Sequence, residues 1–113
     1  MASVLNVFKT YTANLTTTGS TVYTAPAGYT TVVLMAQVSN IGNSSVTITA
    51  NYVPIAAPSS PTTIISGIQI PTNDAVNLMS GRLILMTGDS VFITASSNNA
   101  AQALFSVLET LNQ

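Results

Sequence analysis

The sequence predicts an all-β fold, a single antiparallel sandwich or barrel of about eight or nine strands. Turn signals recur at intervals of about 8 to 12 residues, the spacing of small sandwiches and barrels. Between them, apolar and polar side chains alternate with the period of two that a half-buried strand requires. No linker, internal repeat or charge block divides residues 1–113, so one domain is expected.

The first strand is expected within Val4 to Thr12 and a short second one at Thr21 to Thr24. Pro26-Ala27-Gly28 then breaks the chain, because proline cannot donate to a ladder and glycine accepts positive φ. Thr30 to Ser39 follows as a long strand. Val32, Leu34, Ala36 and Val38 would share its main face, with Val33 and Met35 making the other partly apolar, as in a strand that is central or covered on both sides. After the turn Asn40 to Ser44, Ser45 to Val53 alternates cleanly, with Val46, Ile48, Ala50 and Tyr52 inward.

Pro54 to Pro61 holds three prolines, Pro54, Pro58 and Pro61, and is expected to be a loop or an edge crossing. Thr62 to Ile70 resumes as a strand, with Gly67 as a bulge or bend. After the turn Pro71 to Asp74, short strands are expected at Ala75 to Met79 and Arg82 to Met86, on either side of Ser80-Gly81. Ser90 to Ser96 follows the turn Thr87-Gly88-Asp89. If Arg82 to Met86 and Ser90 to Ser96 pair across it, Arg82 and Asp89 do not face each other, and no salt bridge joins them. Ala101 to Leu111 is helical by propensity, yet it also alternates Ala101, Ala103, Phe105 and Val107 against Gln102, Leu104, Ser106 and Leu108; a closing strand is preferred.

Composition limits the chemistry. A chain of 113 residues can bury roughly 65% of its unfolded surface, so a core is possible without staples. It has no cysteine and no histidine, which removes disulfides, thiolate metal sites, the commonest zinc ligand and the commonest general base. Charged residues are 4% of the chain against about 25% in a typical soluble domain. They are Lys9, Asp74, Arg82, Asp89 and Glu109. Disorder does not explain the deficit, because 47% of the chain is hydrophobic. Nor does a membrane span, since no run of about 18 apolar residues occurs. The N-terminus lacks the pattern of a secretory signal. About 40 Thr, Ser and Asn residues wet the surface instead, and a net charge of -1 does little to hold copies apart.

Asp74 and Asp89 are the carboxylates to test as a glycosidase pair, which needs two such groups about 5 to 10 Å apart. Both stand in turn sequences, PTND and TGDS, where Asp is expected to bond nearby amides. Asn73, Asp74 and Asp89 could gather around a hard cation only if their two turns meet. Lys9 alone makes a weak partner for a serine nucleophile. No phosphate-cradling glycine motif occurs, and two basic residues disfavour nucleic acid. The expectation is no enzyme, no metal and no cofactor. Among the tyrosines, Tyr52 is expected in the core, whereas Tyr29, after the Pro-Ala-Gly turn, is a candidate interface anchor.

VYTAPAGYTTVVL at Val22 to Leu34, AQVSN at Ala36 to Asn40, NLMSGRLILMTGDS at Asn77 to Ser90 and ITAS at Ile93 to Ser96 together resemble small virion structural proteins of tailed bacteriophages. Such proteins often read VYTAPAGKT early and L-x-x-GKLVL-x-x-GDS late. Tyr29 and Arg82 stand here where lysine is frequent, which puts in doubt any contact the first lysine makes. The resemblance covers about Asn14 to Thr110 and rests on turn and strand motifs that carry no chemistry.

It implies a jelly-roll-like β-sandwich, located on the virion and made in the host cytoplasm, that acts as a capsid decoration protein or a neck or tail accessory. Its expected partners are itself, as a homo-oligomer such as a trimer, and other virion proteins, with no nucleic acid and no membrane. The competing expectation is a glycan- or host-receptor-binding β-sandwich module of a tail fibre or baseplate, presenting Tyr29 and the loop of Pro54, Pro58 and Pro61.

Overall fold

The computed structural model of the chain describes residues 6–79 and 81–112. They form β1 (Asn6–Asn14), β2 (Ser20–Thr24), β3 (Tyr29–Asn40), β4 (Val46–Val53), β5 (Thr62–Ile70), β6 (Ala75–Asn77), β7 (Leu83–Leu85), β8 (Ser90–Ala95) and β9 (Ala101–Leu111). Among the described residues there is no helix, and Ala101 to Leu111 is the expected strand. Val4 and Leu5 of the first expected strand and Ser80 of the expected turn lie outside the described residues.

Two antiparallel sheets face each other. One runs β1-β9-β3-β6, with β7 also on β3; the other runs β2-β8-β4-β5. β6 and β7 pair with opposite ends of one edge of β3, through Val38↔Val76 and Val32↔Ile84, and so act as one interrupted strand. Counted that way, the first, last, third and sixth strands make one sheet and the second, seventh, fourth and fifth make the other, which is the jelly-roll order.

Chain alternation explains the core. β4 turns Val46, Ile48 and Ala50 inward, and β9 turns Ala101, Ala103, Phe105 and Val107 inward. Ile93 and Val91 of β8, Val33 and Val38 of β3, Leu85 and Ile70 meet them in the interior. Each buried Val, Leu, Ile or Phe among them contributes about 1.5–3 kcal/mol relative to exposure. Gly67 sits at φ +67 where the β4 register jumps from Ile68 to Ile65, and its N–H donates to Thr49 Oγ1 at 3.0 Å; it is the expected bulge.

Two expectations need correction. The buried face of β3 is Thr31, Val33, Ala36, Val38 and Asn40, not Val32, Leu34, Ala36 and Val38. The register against β9 steps from Val33↔Val107 to Met35↔Ser106, so Leu34 is an extra residue, and the alternation inverts across it. With apolar residues on both faces, nothing local said where the inversion fell. Second, β7 and β8 are not a hairpin but belong to different sheets. Thr87-Gly88-Asp89 carries the chain across the end of the sandwich. The corner is held on Ala25, whose carbonyl accepts Gly88 N–H at 3.0 Å and whose N–H donates to the Asp89 carbonyl at 2.9 Å.

Candidate functional site

The turn Thr87-Gly88-Asp89 sits where three strand ends converge. The Asp89 side chain is only 3% exposed, and its Oδ2 accepts from Tyr52 Oη at 2.6 Å and from Met86 N–H at 3.1 Å. Its Oδ1 accepts Ile55 N–H at 3.0 Å, which ties the loop of Pro54, Pro58 and Pro61 to the corner. Burial alone would raise this carboxyl, but the bonds from Tyr52, Ile55 and Met86 outweigh it and hold Asp89 below the usual carboxylate range. Thr87 adds a bond from its hydroxyl to the Tyr29 carbonyl at 2.6 Å. Asp89 therefore holds backbone amides, as the TGDS turn predicts, and also clamps a distant loop that no local motif announces. Tyr52 is half-buried, with its polar tip in this clamp.

Asp74 is at the other end of the molecule. Its carbonyl accepts Asn40 N–H at 2.9 Å and its Oδ1 accepts Ala75 N–H at 2.8 Å. Asn40 ends β3, whereas Tyr29, beside the Asp89 turn, begins it; the 12-residue strand between them spans about 35 Å. The two turns do not meet, so Asp74 and Asp89 form neither a glycosidase pair nor, with Asn73, a cation site. Among the described residues no group of three His, Cys, Asp or Glu side chains could hold a metal ion. Arg82 is exposed, and Asp89 takes its partners from Tyr52, Ile55 and Met86 rather than from it.

The densest polar cluster centres on Glu109, 2% exposed. Its Oε2 accepts from Tyr23 Oη at 2.6 Å and Tyr11 Oη at 3.2 Å, while Oε1 meets Lys9 Nζ at 3.1 Å. Tyr23 Oη also lies 2.8 Å from Thr31 Oγ1, and the Tyr11 and Tyr23 rings meet edge to face with centroids 4.9 Å apart. Burial would raise the Glu109 carboxyl, but Tyr23, Lys9 and Tyr11 together hold it below the usual range. Glu109 in turn raises Lys9, chiefly through their hydrogen bond. Burial, followed by the bond to Glu109, raises Tyr23.

Sequence reasoning missed this cluster. One signal was available: the period of two that turns Phe105 and Val107 inward also turns Glu109 inward. Nothing in the sequence, however, brings Lys9, Tyr11 and Tyr23 to it. The cluster joins β1, β3 and β9 of one sheet to β2 of the other, and all its polar groups are occupied with one another. It is a fastening between the sheets.

Tyr29 is half-buried at the start of β3, paired with Leu111. Pro54 is half-buried, while Pro58 and Pro61 are exposed. The Asp89 clamp and the Thr87 bond bring the loop and the Tyr29 backbone to the same end of the sandwich.

No protein-family model and no curated protein sequence matches the chain. Solved structures share its fold. One is a chain of the IBDV viral particle, with TM-score 0.59 and 11% identity over 98% of this chain. This chain spans about a third of that protein's length, 32%. Another, with TM-score 0.58 and 9% identity, comes from the acid-stable capsid of Helicobacter pylori bacteriophage KHP30 and is matched over 99% of this chain and 92% of its own length. A third, from the disulfide-linked pili that are Bacillus endospore appendages, has TM-score 0.56 and 9% identity, with 96% of this chain and 88% of that one covered.

Proposed function

We propose that the protein is a structural subunit of a bacteriophage virion, present in multiple copies as a capsid decoration protein or a neck or tail accessory. The observation that carries this reading is the complete jelly-roll order of this chain, in a fold similar over nearly the full length of both chains to a protein of a phage capsid. The phage-like text VYTAPAG and GRLIL…GDS supports it independently. So does a surface wetted by hydroxyls and amides rather than charges, which lowers the electrostatic cost of crowding copies together. The pilus likeness argues for the same general class, a repeated structural subunit. Its disulfide linkage has no counterpart in a chain without cysteine.

Quantitative mass spectrometry of purified particles tests the reading. A constant stoichiometry relative to the major capsid protein is expected, high for a decoration protein and low for a neck or tail part. Absence from washed particles defeats it. The second reading, a glycan- or receptor-binding module, draws on the convergence of the Tyr29 backbone and the Pro54–Pro61 loop at one end. Saturable glycan binding that is lost in Tyr29→Ala would favour it.

A further inference from the structure

The outer face of the sheet containing β1, β9, β3 and β7 carries an apolar row that crosses all four strands. Phe8 pairs with Leu108, Leu108 with Val32, and Val32 with Ile84, so the four side chains stand side by side on one face. The row is not absorbed into the core. Phe8 is 74% exposed and Ile84 51%, with Leu108 and Val32 half-buried between them. Leu34, pushed outward by the β3 bulge, and Met86, just beyond β7, are exposed as well.

The rows on either side are neutral. Asn6, Thr110 and Thr30 flank it on one side; on the other, Thr10 pairs with Ser106, which pairs with Met35. None of the paired outward positions of β1, β9 and β3 is charged; Lys9 and Glu109 belong to the opposite, inward rows. On the outer face of the other sheet, Thr47 and Thr49 face out from β4, and Phe92 of β8 is half-buried.

We infer that this face is a homotypic interface, packed against the same face of a second copy of the chain. Two arguments select a second copy. Near a two-fold axis a face meets its own image, so a charge there would oppose its like; the paired outward positions of β1, β9 and β3 carry none, and the exposed Arg82 lies just beyond the end of β7. The size also suffices. The nine residues of β1, with β9 and β3 alongside and the three residues each of β6 and β7, at about 4.8 Å strand spacing give a flat footprint of about 500 Å² per copy, hence about 1,000 Å² in all, the size a specific interface must clear. Stacking would occur at the ordinary sheet-to-sheet spacing of about 10 Å, with Phe8 and Ile84 as the anchors. The inference rests on the reading of the chain as a many-copy subunit and names the surface through which copies meet.

Sedimentation equilibrium of the full chain from micromolar to millimolar concentration tests it, on the wild type, Phe8→Glu, Ile84→Glu and, as a control at an exposed apolar residue elsewhere, Ile41→Glu. Both replaced row residues are exposed, so the variants should melt like the wild type, and thermal unfolding checks that they do. The expected result is a concentration-dependent dimer, weakened at least tenfold by Phe8→Glu and by Ile84→Glu and unchanged by Ile41→Glu. A monomer at every concentration overturns the inference, as does a dimer indifferent to both row variants. Monomeric protein whose row variants fail to join particles also overturns it, and assigns the face to another virion protein. A row-dependent dimer absent from particles leaves the interface standing and removes the virion reading.

Discussion

The Tyr23 hydroxyl, on β2 of one sheet, donates to Glu109 on β9 of the other at 2.6 Å, and this bond joins the two layers through the interior. Hydrogen bonds to charged groups contribute about 1.5–3 kcal/mol, more than neutral ones, and a buried acceptor left unpaired costs about as much. Tyr23→Phe is therefore expected to destabilise the fold by about 2 kcal/mol in urea unfolding. Combining it with Glu109→Gln should cost about 1–2 kcal/mol less than the two changes summed, because both remove one interaction. Strict additivity would mean that the bond contributes nothing.

Asp89 holds three donors from separate places in the chain. Asp89→Ala leaves the Ile55 and Met86 amides and the Tyr52 hydroxyl without their acceptor, and a loss of about 2–3 kcal/mol is expected. Hydrogen exchange should accelerate at Ile55 and Met86 beyond what the lower global stability explains. Unchanged protection at Ile55 would show that the loop is held by something else.

Gly88 and Gly28 make an informative pair. Both have positive φ, +88 and +82, but an added Cβ meets open space at Gly28 and overlaps Ile55 at Gly88. Gly28→Ala is expected to cost about 1–2 kcal/mol, the backbone penalty alone. Gly88→Ala should cost more, and adding Ile55→Ala should recover only the excess. Equal losses at the two glycines in thermal unfolding would rule out a steric contribution from Ile55.

Acid and alkali should each destabilise the protein, for opposite reasons. Asp89 and Glu109 are held below the usual carboxylate range in the fold. As pH falls below about 4, the unfolded chain takes up protons first, and the stability these groups contribute is lost. Lys9, Tyr23 and Tyr52 are raised, Tyr52 chiefly by its bond to Asp89. Their contribution is complete below about pH 10 and declines above it, because the unfolded chain then loses protons first. Urea midpoints across pH should show a plateau between about pH 5 and 9, with an acid limb that is shallower in Glu109→Gln.

Strand positions were legible wherever alternation was one-sided. Val46, Ile48 and Ala50 declare the inward face of β4 by their spacing alone, because Thr47 and Thr49 separate them and Asn51 follows. β3 does not declare its own, since Val32, Val33, Leu34 and Met35 are apolar in succession and the bulge at Leu34 depends on pairing with Val107 and Ser106 of β9, about 70 residues away. The site divided in the same way. Asp89 was legible as a turn carboxylate, because its bond to Met86 is local; its bonds to Tyr52 and Ile55, and the whole environment of Glu109, are not.

By itself the sequence determined an all-β domain, the places where the chain turns, and the absence of the histidine and cysteine chemistry that most catalytic and metal sites need. These depend on side-chain identity and on a period of two, both readable along the chain. Only the tertiary structure decided which strands share a sheet, that Thr87-Gly88-Asp89 is a corner between sheets, that Lys9, Tyr11 and Tyr23 converge on Glu109, and that Phe8, Leu108, Val32 and Ile84 line up on one outer face. The physical reason is that each depends on register between strands distant in sequence, and a shift of one residue would turn every one of those side chains to the other side.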